Sequence, residues 1–331
     1  MDEGVERSDV ALDGGVVPLG LTLDDAVRVG AALDAEKASS TRRAYASAWR
    51  GWESWCMSRG ITSMPARSAA IAAYLAERAE TGASVSTLDL AVAAIRGRHL
   101  DNAVPDPTAD SGLARVRRGL RRTVGVAPRK QSHPLTVGEL RRIVSHIDRS
   151  APAGARDAAV LLVGFASAVR RSELAALTLG DVEWRPTGLL LTIRRSKSDQ
   201  DARGQIVAVA RGQHPDTDPV AALHAWLQVR GQAVGPLFTR VRRGGHSTAD
   251  PLTGAAIAGI ARMRADGAGL PDLRVSGHSL RSGHVTAAAE AGVRIDRIAA
   301  QTRHRHIDTL IQHYIRPAEL LATTSSAGLG L

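Results

Sequence analysis

The sequence predicts a mainly α-helical fold in two domains, an all-helical first domain and a mixed second domain that contains a β-hairpin. Apolar residues recur at helical spacing from residue 39 to residue 126, and no segment with strand composition precedes residue 185. Beyond it, GLLLTIRRSKSD and GQIVAVAR have strand composition, and the turn-forming SDQDARG separates them. At 331 residues the chain is long enough for two hydrophobic cores.

The charge of the chain is strongly positive and unevenly distributed. A formal net charge of +10 and a pI near 10.9 make nucleic acid the expected partner, with an anionic membrane surface as the second possibility. Residues 1–37 hold nine acidic and three basic residues, a net charge of −6, which leaves +16 for the remainder. We therefore expect residues 1–37 to form a separate acidic tail that is largely disordered, with helical period only in LTLDDAVRVGAAL.

Cysteine usage and hydropathy limit the cellular environment. The single cysteine, Cys56, excludes an internal disulfide and a cysteine-based metal site, which suits a reducing cytoplasm. No apolar run approaches the roughly 18 residues of a membrane span, and no basic segment followed by an apolar one opens the chain. The expectation is a cytoplasmic protein associated with DNA in the nucleoid.

The first domain is predicted over residues 38–127, followed by a linker at 128–134. Its opening helix is capped by Thr41 and stopped by Gly60. The apolar stripe of that helix comprises Tyr45, Trp49, Trp52 and Cys56. This stripe is interpreted as buried core rather than as a platform for stacking bases. Further helices are predicted at 65–81, 84–100 and 112–126.

Basic residues concentrate in the last of these helices and in the linker. They are Arg115, Arg117, Arg118, Arg121, Arg122, Arg129 and Lys130. The alternative is a basic helix face that is solvated and binds nothing. The position of this helix beside a hinge favours contact of its arginines with DNA phosphates. A second basic loop, Arg240, Arg242 and Arg243 in PLFTRVRRGG, is a further candidate for DNA binding.

The second domain, residues 135–331, carries the polar residues that are candidates for chemistry. A capping box of Thr136 and Glu139 opens it, and an apolar helix from 157 to 168 leads into AVRRSEL. Arg170 should be partly buried there and needs an anion, which is either Glu173 or a bound phosphate. Lys197 is predicted at the tip of the hairpin, and Asp218-Pro219 begins another helix.

The richest stretch lies between His278 and Tyr314. His278 and Arg281 stand three residues apart at the start of a helix that ends at Gly292, so both should lie on one face of its first turn. The backbone N–H groups of this first turn, the imidazole of His278 and the guanidinium of Arg281 together favour the binding of a phosphate. His304 follows, and Tyr314, one of only three tyrosines, is the candidate nucleophile.

Arg170 within AVRRSEL, Lys197, His278-Ser-Leu-Arg281, His304 and Tyr314 occur in this order with spacings that resemble the tyrosine recombinase (phage integrase) family. The resemblance covers residues 38–318, and DVEWRPTG, VSGHS and HYIRP are most similar to Cre-like recombinases. It implies a clamp around double-stranded DNA, with a SAM-like core-binding domain and a catalytic domain that holds a small antiparallel sheet. It also implies a homotetramer on paired DNA sites and no cofactor.

The resemblance assigns a role to each candidate residue. Tyr314 would attack a phosphodiester and form a 3′-phosphotyrosine, while Arg170 and Arg281 neutralise the charge that builds on the phosphate. His278 would serve as the base, Lys197 as the acid for the departing 5′-oxygen, and His304 as a donor to the phosphate. Glu173 would orient the arginine and histidine groups.

Two positions depart from the family pattern, and several alternatives stay open. His304 and Tyr314 are ten residues apart where nine is usual, and Arg303 replaces the usual glycine before the histidine. A metal site at His304, His306 and His313 is disfavoured because no cysteine or paired carboxylate completes it. The alternative functions are a type IB topoisomerase, a telomere resolvase and a DNA-binding regulator with a decayed site.

Overall fold

The computed structural model describes residues 22–36, 39–125, 132–194 and 204–304. The chain forms two compact units, Met1–Arg129 and Lys130–Leu331. None of the helices in the described ranges is both long and apolar enough to cross a membrane.

The first unit is built from helices alone across the part that the structure describes. Its helices are α1 (Leu23–Glu36), α2 (Ser39–Ser58), α3 (Ser68–Glu80), α4 (Val85–Asp101) and α5 (Ser111–Val124). Ser84 caps α4 and Asp110 caps α5, each accepting a backbone N–H from the first helical turn. The three predicted helices that follow α2 are confirmed within a few residues at either end.

The aromatic stripe of α2 lies in the core of this unit. Trp49, Trp52 and Cys56 are buried and Tyr45 is partly buried. Trp52 donates from its indole nitrogen to the carbonyl of Ser63 at 3.0 Å. The interpretation of the stripe as core is therefore confirmed for Trp49, Trp52 and Cys56. The predicted cap was wrong, because α2 already begins at Ser39 and Thr41 lies inside its first turn.

The second unit combines helices with two small antiparallel sheets. Its helices are α6 (Val137–Ser145), α7 (Pro152–Ser167), α8 (Arg171–Ala176), α9 (Pro219–Arg230), α10 (Gly254–Gly267), α11 (Ser279–Glu290) and α12 (Ile295–Thr302). Its strands are β1 (Val182–Arg185), β2 (Gly188–Ile193), β3 (Gln205–Ala210), β4 (Thr239–Val241) and β5 (Ser247–Pro251). The capping box of Thr136 and Glu139 is present, and Asp218 caps α9, as predicted.

The sheets extend the predicted hairpin. Strands β2 and β3 pair as predicted, and β1 adds to the other edge of β2, with Val182 opposite Leu191. The expectation of no strand before residue 185 was wrong. Most of β1 is exposed, so Glu183, Trp184 and Arg185 lack the apolar alternation that marks a half-buried strand.

Helix α7 forms the centre of the second core and leads directly into the segment that carries Arg170. Val160, Leu161 and Val163 are fully buried in it, and its last turn ends at Ala168, which has the left-handed backbone angles φ 51° and ψ 23°. Helix α11 lies close to the segment before α6, because a Cβ on Gly283 would stand 2.0 Å from the carbonyl oxygen of Leu135. A glycine is therefore required at this approach.

Candidate active site

Arg170 lies where α7 ends and α8 begins. Its backbone is extended (φ −68°, ψ 147°), and it occupies the cap position of α8. Glu173, one turn further on, accepts from the backbone N–H of Arg170 at 2.7 Å and from its guanidinium Nη1 at 2.8 Å. The side chain of Arg170 is 25% exposed and that of Glu173 only 3%. Arg170 thus has an internal anion and a face that is still accessible.

Arg281, in the first turn of α11, is buried with 1% exposure. Its Nη1 donates to the carbonyl oxygen of Ala168 at 2.6 Å, and its Nη2 donates to that of Thr302 at 2.5 Å. Ala168 caps the C-terminus of α7 and Thr302 is the last residue of α12. The guanidinium therefore satisfies carbonyls at the negative ends of two helices.

His304 lies directly beside Arg281. Its Nε2 is 3.3 Å from Nη2 of Arg281, and its Nδ1 is 2.6 Å from the hydroxyl of Thr302. That hydroxyl donates to the carbonyl of Ile298 at 2.7 Å, so its oxygen accepts a hydrogen bond from the N–H group at Nδ1. Burial and the positive charges of Arg281 and Arg170 lower the pKa of His304 to about 4. The imidazole is neutral at pH 7, with Nε2 as an acceptor.

His278 occupies the cap position of α11, and its backbone N–H donates to the hydroxyl of Ser276 at 3.1 Å. Desolvation by the surrounding protein, followed by the charges of Arg281 and Arg170, lowers the pKa of His278 below its usual value of 6.5. The residue nevertheless remains exposed at the surface. A neutral, accessible imidazole at this position can accept a proton.

The structure thus gathers five of the predicted site residues in one neighbourhood. They are Arg170, Glu173, His278, Arg281 and His304. Lys197 and Tyr314 lie outside the described residues, as do Arg129 and Lys130. For Lys197, the strands on either side are described, and they pair as a hairpin.

Arg303 contacts the predicted site through Glu173, whereas the sequence distinguished it only as a departure from the usual glycine. It is 8% exposed, its backbone is left-handed (φ 59°, ψ 43°), and its Nη2 donates to Oε2 of Glu173. Burial would raise the pKa of Glu173, but the charge of Arg303 and the hydrogen bonds from Arg170 outweigh it and leave that pKa lowered. The available signal was an arginine at a position suited to glycine, immediately before His304.

The predicted DNA-contact arginines of α5 divide between two faces of the helix. Arg117 and Arg121 both pair with Asp89 of α4, at 3.0 and 2.5 Å. A second set, spaced three and four residues apart, is exposed: Arg115, Arg118 and Arg122. In the second unit, Arg240, Arg242 and Arg243 are exposed along strand β4 and its turn into β5.

Comparison with known proteins gives consistent matches. The phage integrase family matches residues 134–320. An integrase/recombinase XerD homologue of Selenomonas ruminantium is 30% identical over 291 residues, covering 87% of this chain and 84% of the relative. The recombinase Cre of Escherichia phage P1 is 25% identical over 289 residues, covering 82% of each chain.

Solved structures share the fold at low sequence identity. A lambda integrase dimer bound to a COC′ core site has a TM-score of 0.59 at 16% identity, covering 88% of this chain and 75% of that one. The XerH site-specific recombinase, in a post-cleavage complex with a palindromic difH substrate, has a TM-score of 0.56 at 18% identity, covering 79% and 73%.

Two guanidinium groups and two neutral imidazoles gathered at helix ends suit an enzyme that acts on phosphodiesters. The chain belongs to the phage integrase family. It is accordingly a tyrosine site-specific recombinase, which breaks and rejoins DNA strands. The matches favour this activity over the topoisomerase, telomere resolvase and inactive regulator.

Proposed function

We propose that Tyr314 attacks the scissile phosphodiester and leaves a 3′-phosphotyrosine and a free 5′-hydroxyl, with Arg170 and Arg281 neutralising the phosphate. The observation that supports this proposal is the bond from Arg281 to the carbonyl of Ala168, two residues before Arg170. It brings two guanidinium groups from distant parts of the chain to one place. Negative charge builds on the non-bridging oxygens during attack, and guanidinium groups can stabilise it with paired hydrogen bonds.

Proton transfer in this proposal uses the two histidines and the hairpin lysine. A free tyrosine has a pKa of about 10, so Tyr314 needs a base, and the lowered pKa of His278 keeps that imidazole neutral and ready to accept a proton. Lys197, in the connection between β2 and β3, donates a proton to the departing 5′-oxygen. Glu173 holds Arg170 in place.

His304 contributes a hydrogen bond to the phosphate once DNA is bound. Without DNA its Nε2 accepts from Arg281. A phosphate beside this imidazole raises its pKa, because an anion favours the protonated form. The imidazolium has N–H groups on both nitrogens, so Nε2 becomes a donor while Nδ1 keeps its bond to Thr302. The covalent intermediate conserves the energy of the phosphodiester, so the proposed reaction uses neither Mg²⁺ nor ATP.

The assembly that follows from this function is a homotetramer on two paired recognition sites, similar to that of Cre-like recombinases. Phosphate contacts come from the arginines of α5, from Arg129 and Lys130, and from Arg240, Arg242 and Arg243. The net charge of +10 supports a basic surface of this kind. The proposed location is the cytoplasm, on nucleoid DNA.

The test uses a DNA duplex with a nick close to the cleavage point. After cleavage the short fragment diffuses away, so rejoining fails and the protein remains covalently attached to DNA. We expect a trapped adduct with the natural chain and none with Tyr314→Phe. An adduct that forms at an undiminished rate in Tyr314→Phe would contradict the assignment.

Mass measurement of the complex on paired sites tests the tetramer, and a complex with two protomers would refute it.

A further inference from the structure

Arg303 occupies a backbone conformation that suits glycine. Its φ of 59° and ψ of 43° lie in the left-handed region. For a residue with a Cβ this conformation is sterically strained, whereas glycine adopts it freely. An arginine at this position therefore carries a conformational cost that a glycine would avoid.

The guanidinium of Arg303 adds a second cost. The side chains of Arg303 and Glu173 are only 5% and 3% exposed, so both charges of this pair are desolvated. Within the described part of the chain, Nε and Nη1 of Arg303 are buried without a hydrogen-bond partner. A strained backbone and a desolvated ion pair make stability a poor explanation for this residue.

The contact that Arg303 does make leads to the proposed site. One oxygen of Glu173 accepts from Nη1 of Arg170 at 2.8 Å. The other accepts both from the backbone N–H of Arg170 at 2.7 Å and from Nη2 of Arg303. Two guanidinium groups therefore share one carboxylate. Glu173 alone would balance the charge of Arg170, while the group of three carries a net charge of +1.

We propose that Arg303 is a positioning residue of the recombination site. It holds Glu173 and offsets the negative charge of that carboxylate, so that Arg170 can act on the scissile phosphate. With Arg281 included, the cluster carries a net charge of +2, which complements the charge that gathers on the phosphate during attack. This inference rests on the proposed role of Arg170. The charge of Arg303 serves the reaction, which accounts for an arginine at this position in spite of its backbone strain and desolvation.

The test measures adduct formation on the nicked duplex at saturating DNA, as a rate and as an end-point amplitude. The rate reports on the chemistry, and the amplitude counts the molecules with an intact site. Arg303→Gly relieves the backbone strain, Arg303→Asn is neutral and tolerates the left-handed region, and Arg303→Lys keeps the charge. Arg297→Ala is the matched control, because it removes the same charge from an exposed position on α12.

We expect Arg303→Gly and Arg303→Asn to slow adduct formation on the order of tenfold, less than the loss of a direct oxyanion donor. Their amplitude and DNA affinity should be unchanged, and Arg303→Lys should recover part of the rate. Arg297→Ala should react at the natural rate. Because Arg303 acts through Glu173, adding Arg303→Gly to Glu173→Gln should change the rate by less than about twofold.

Two results would overturn the inference. A natural rate in both neutral variants shows that Arg303 does not support the reaction. A common loss of amplitude in all three Arg303 variants assigns it to folding alone. These results differ from a failure of the proposed function, in which the natural chain would form no adduct or Tyr314→Phe would form one.

Discussion

The guanidinium of Arg281 donates to the carbonyl oxygen of Ala168, which lies 113 residues earlier in the chain, across 2.6 Å. The same group donates to the carbonyl of Thr302. One side chain therefore joins the C-terminal ends of α7 and α12 to the first turn of α11. It determines the geometry of the site and is also a proposed contact for the phosphate.

Replacing Arg281 should therefore affect both stability and chemistry, whereas replacing Arg170 should affect mainly chemistry. Both Arg281→Ala and Arg170→Ala should bind DNA and reduce adduct formation on the order of 10²- to 10³-fold. Arg281→Ala also leaves two buried carbonyls without their donor, so it should lower the free energy of unfolding by about 2–5 kcal/mol. Urea unfolding and single-turnover trapping measure the two effects. Equal stability losses in both variants would contradict the structural role of Arg281.

The two faces of α5 should differ in their contribution to DNA affinity. Arg118→Ala with Arg122→Ala removes two exposed charges, while Arg117→Ala with Arg121→Ala removes two charges paired with Asp89. The two double variants change residues at the same spacing on the same helix, and they change the net charge by the same amount. The exposed pair should reduce the slope of log affinity against log salt by about 1.8, at roughly 0.9 per phosphate contact. Arg117→Ala with Arg121→Ala should reduce this slope much less. Equal slopes for the two double variants would show that both faces of α5 contact DNA.

The pH dependence of stability should reveal the neutral state of His304. Its pKa in the folded chain is about 4, against an ordinary value of 6.5. Between these values the unfolded chain binds a proton that the folded chain does not, so stability falls as the pH falls from 6.5 towards 4. His304→Asn should make this dependence shallower in urea unfolding at pH 7, 5.5 and 4.5. The exposed His214→Asn is the control, and parallel curves for His304→Asn and the natural chain would contradict the lowered pKa.

The close approach of α11 to Leu135 should make Gly283 intolerant of a side chain. A Cβ there would stand 2.0 Å from a backbone oxygen, so Gly283→Ala should destabilise the chain by about 1–3 kcal/mol or more. Gly259, in α10, has open space around it, and Gly259→Ala should be neutral or stabilise by up to about 1 kcal/mol. Thermal unfolding of the two variants makes the comparison. A neutral Gly283→Ala would show that α11 can move away from Leu135.

Much of the architecture could be predicted because it depends on neighbours in the chain. The helices of the first unit follow from apolar spacing and caps, and the pairing of β2 with β3 follows from two strand segments around a turn. Strand β1 could not be predicted in the same way. It is held by its pairing with β2 while most of its side chains face solvent, so its own residues show no strand pattern.

By itself, the sequence determined the family, the helical first unit and the set of candidate residues, because residue types, order and spacing are local properties of the chain. Only the tertiary structure decided how those residues meet. Arg281 is satisfied by the ends of two helices, and Glu173 is shared by Arg170 and Arg303. Hydrogen bonds between segments more than a hundred residues apart depend on packing, and burial then sets the charge states of the histidines.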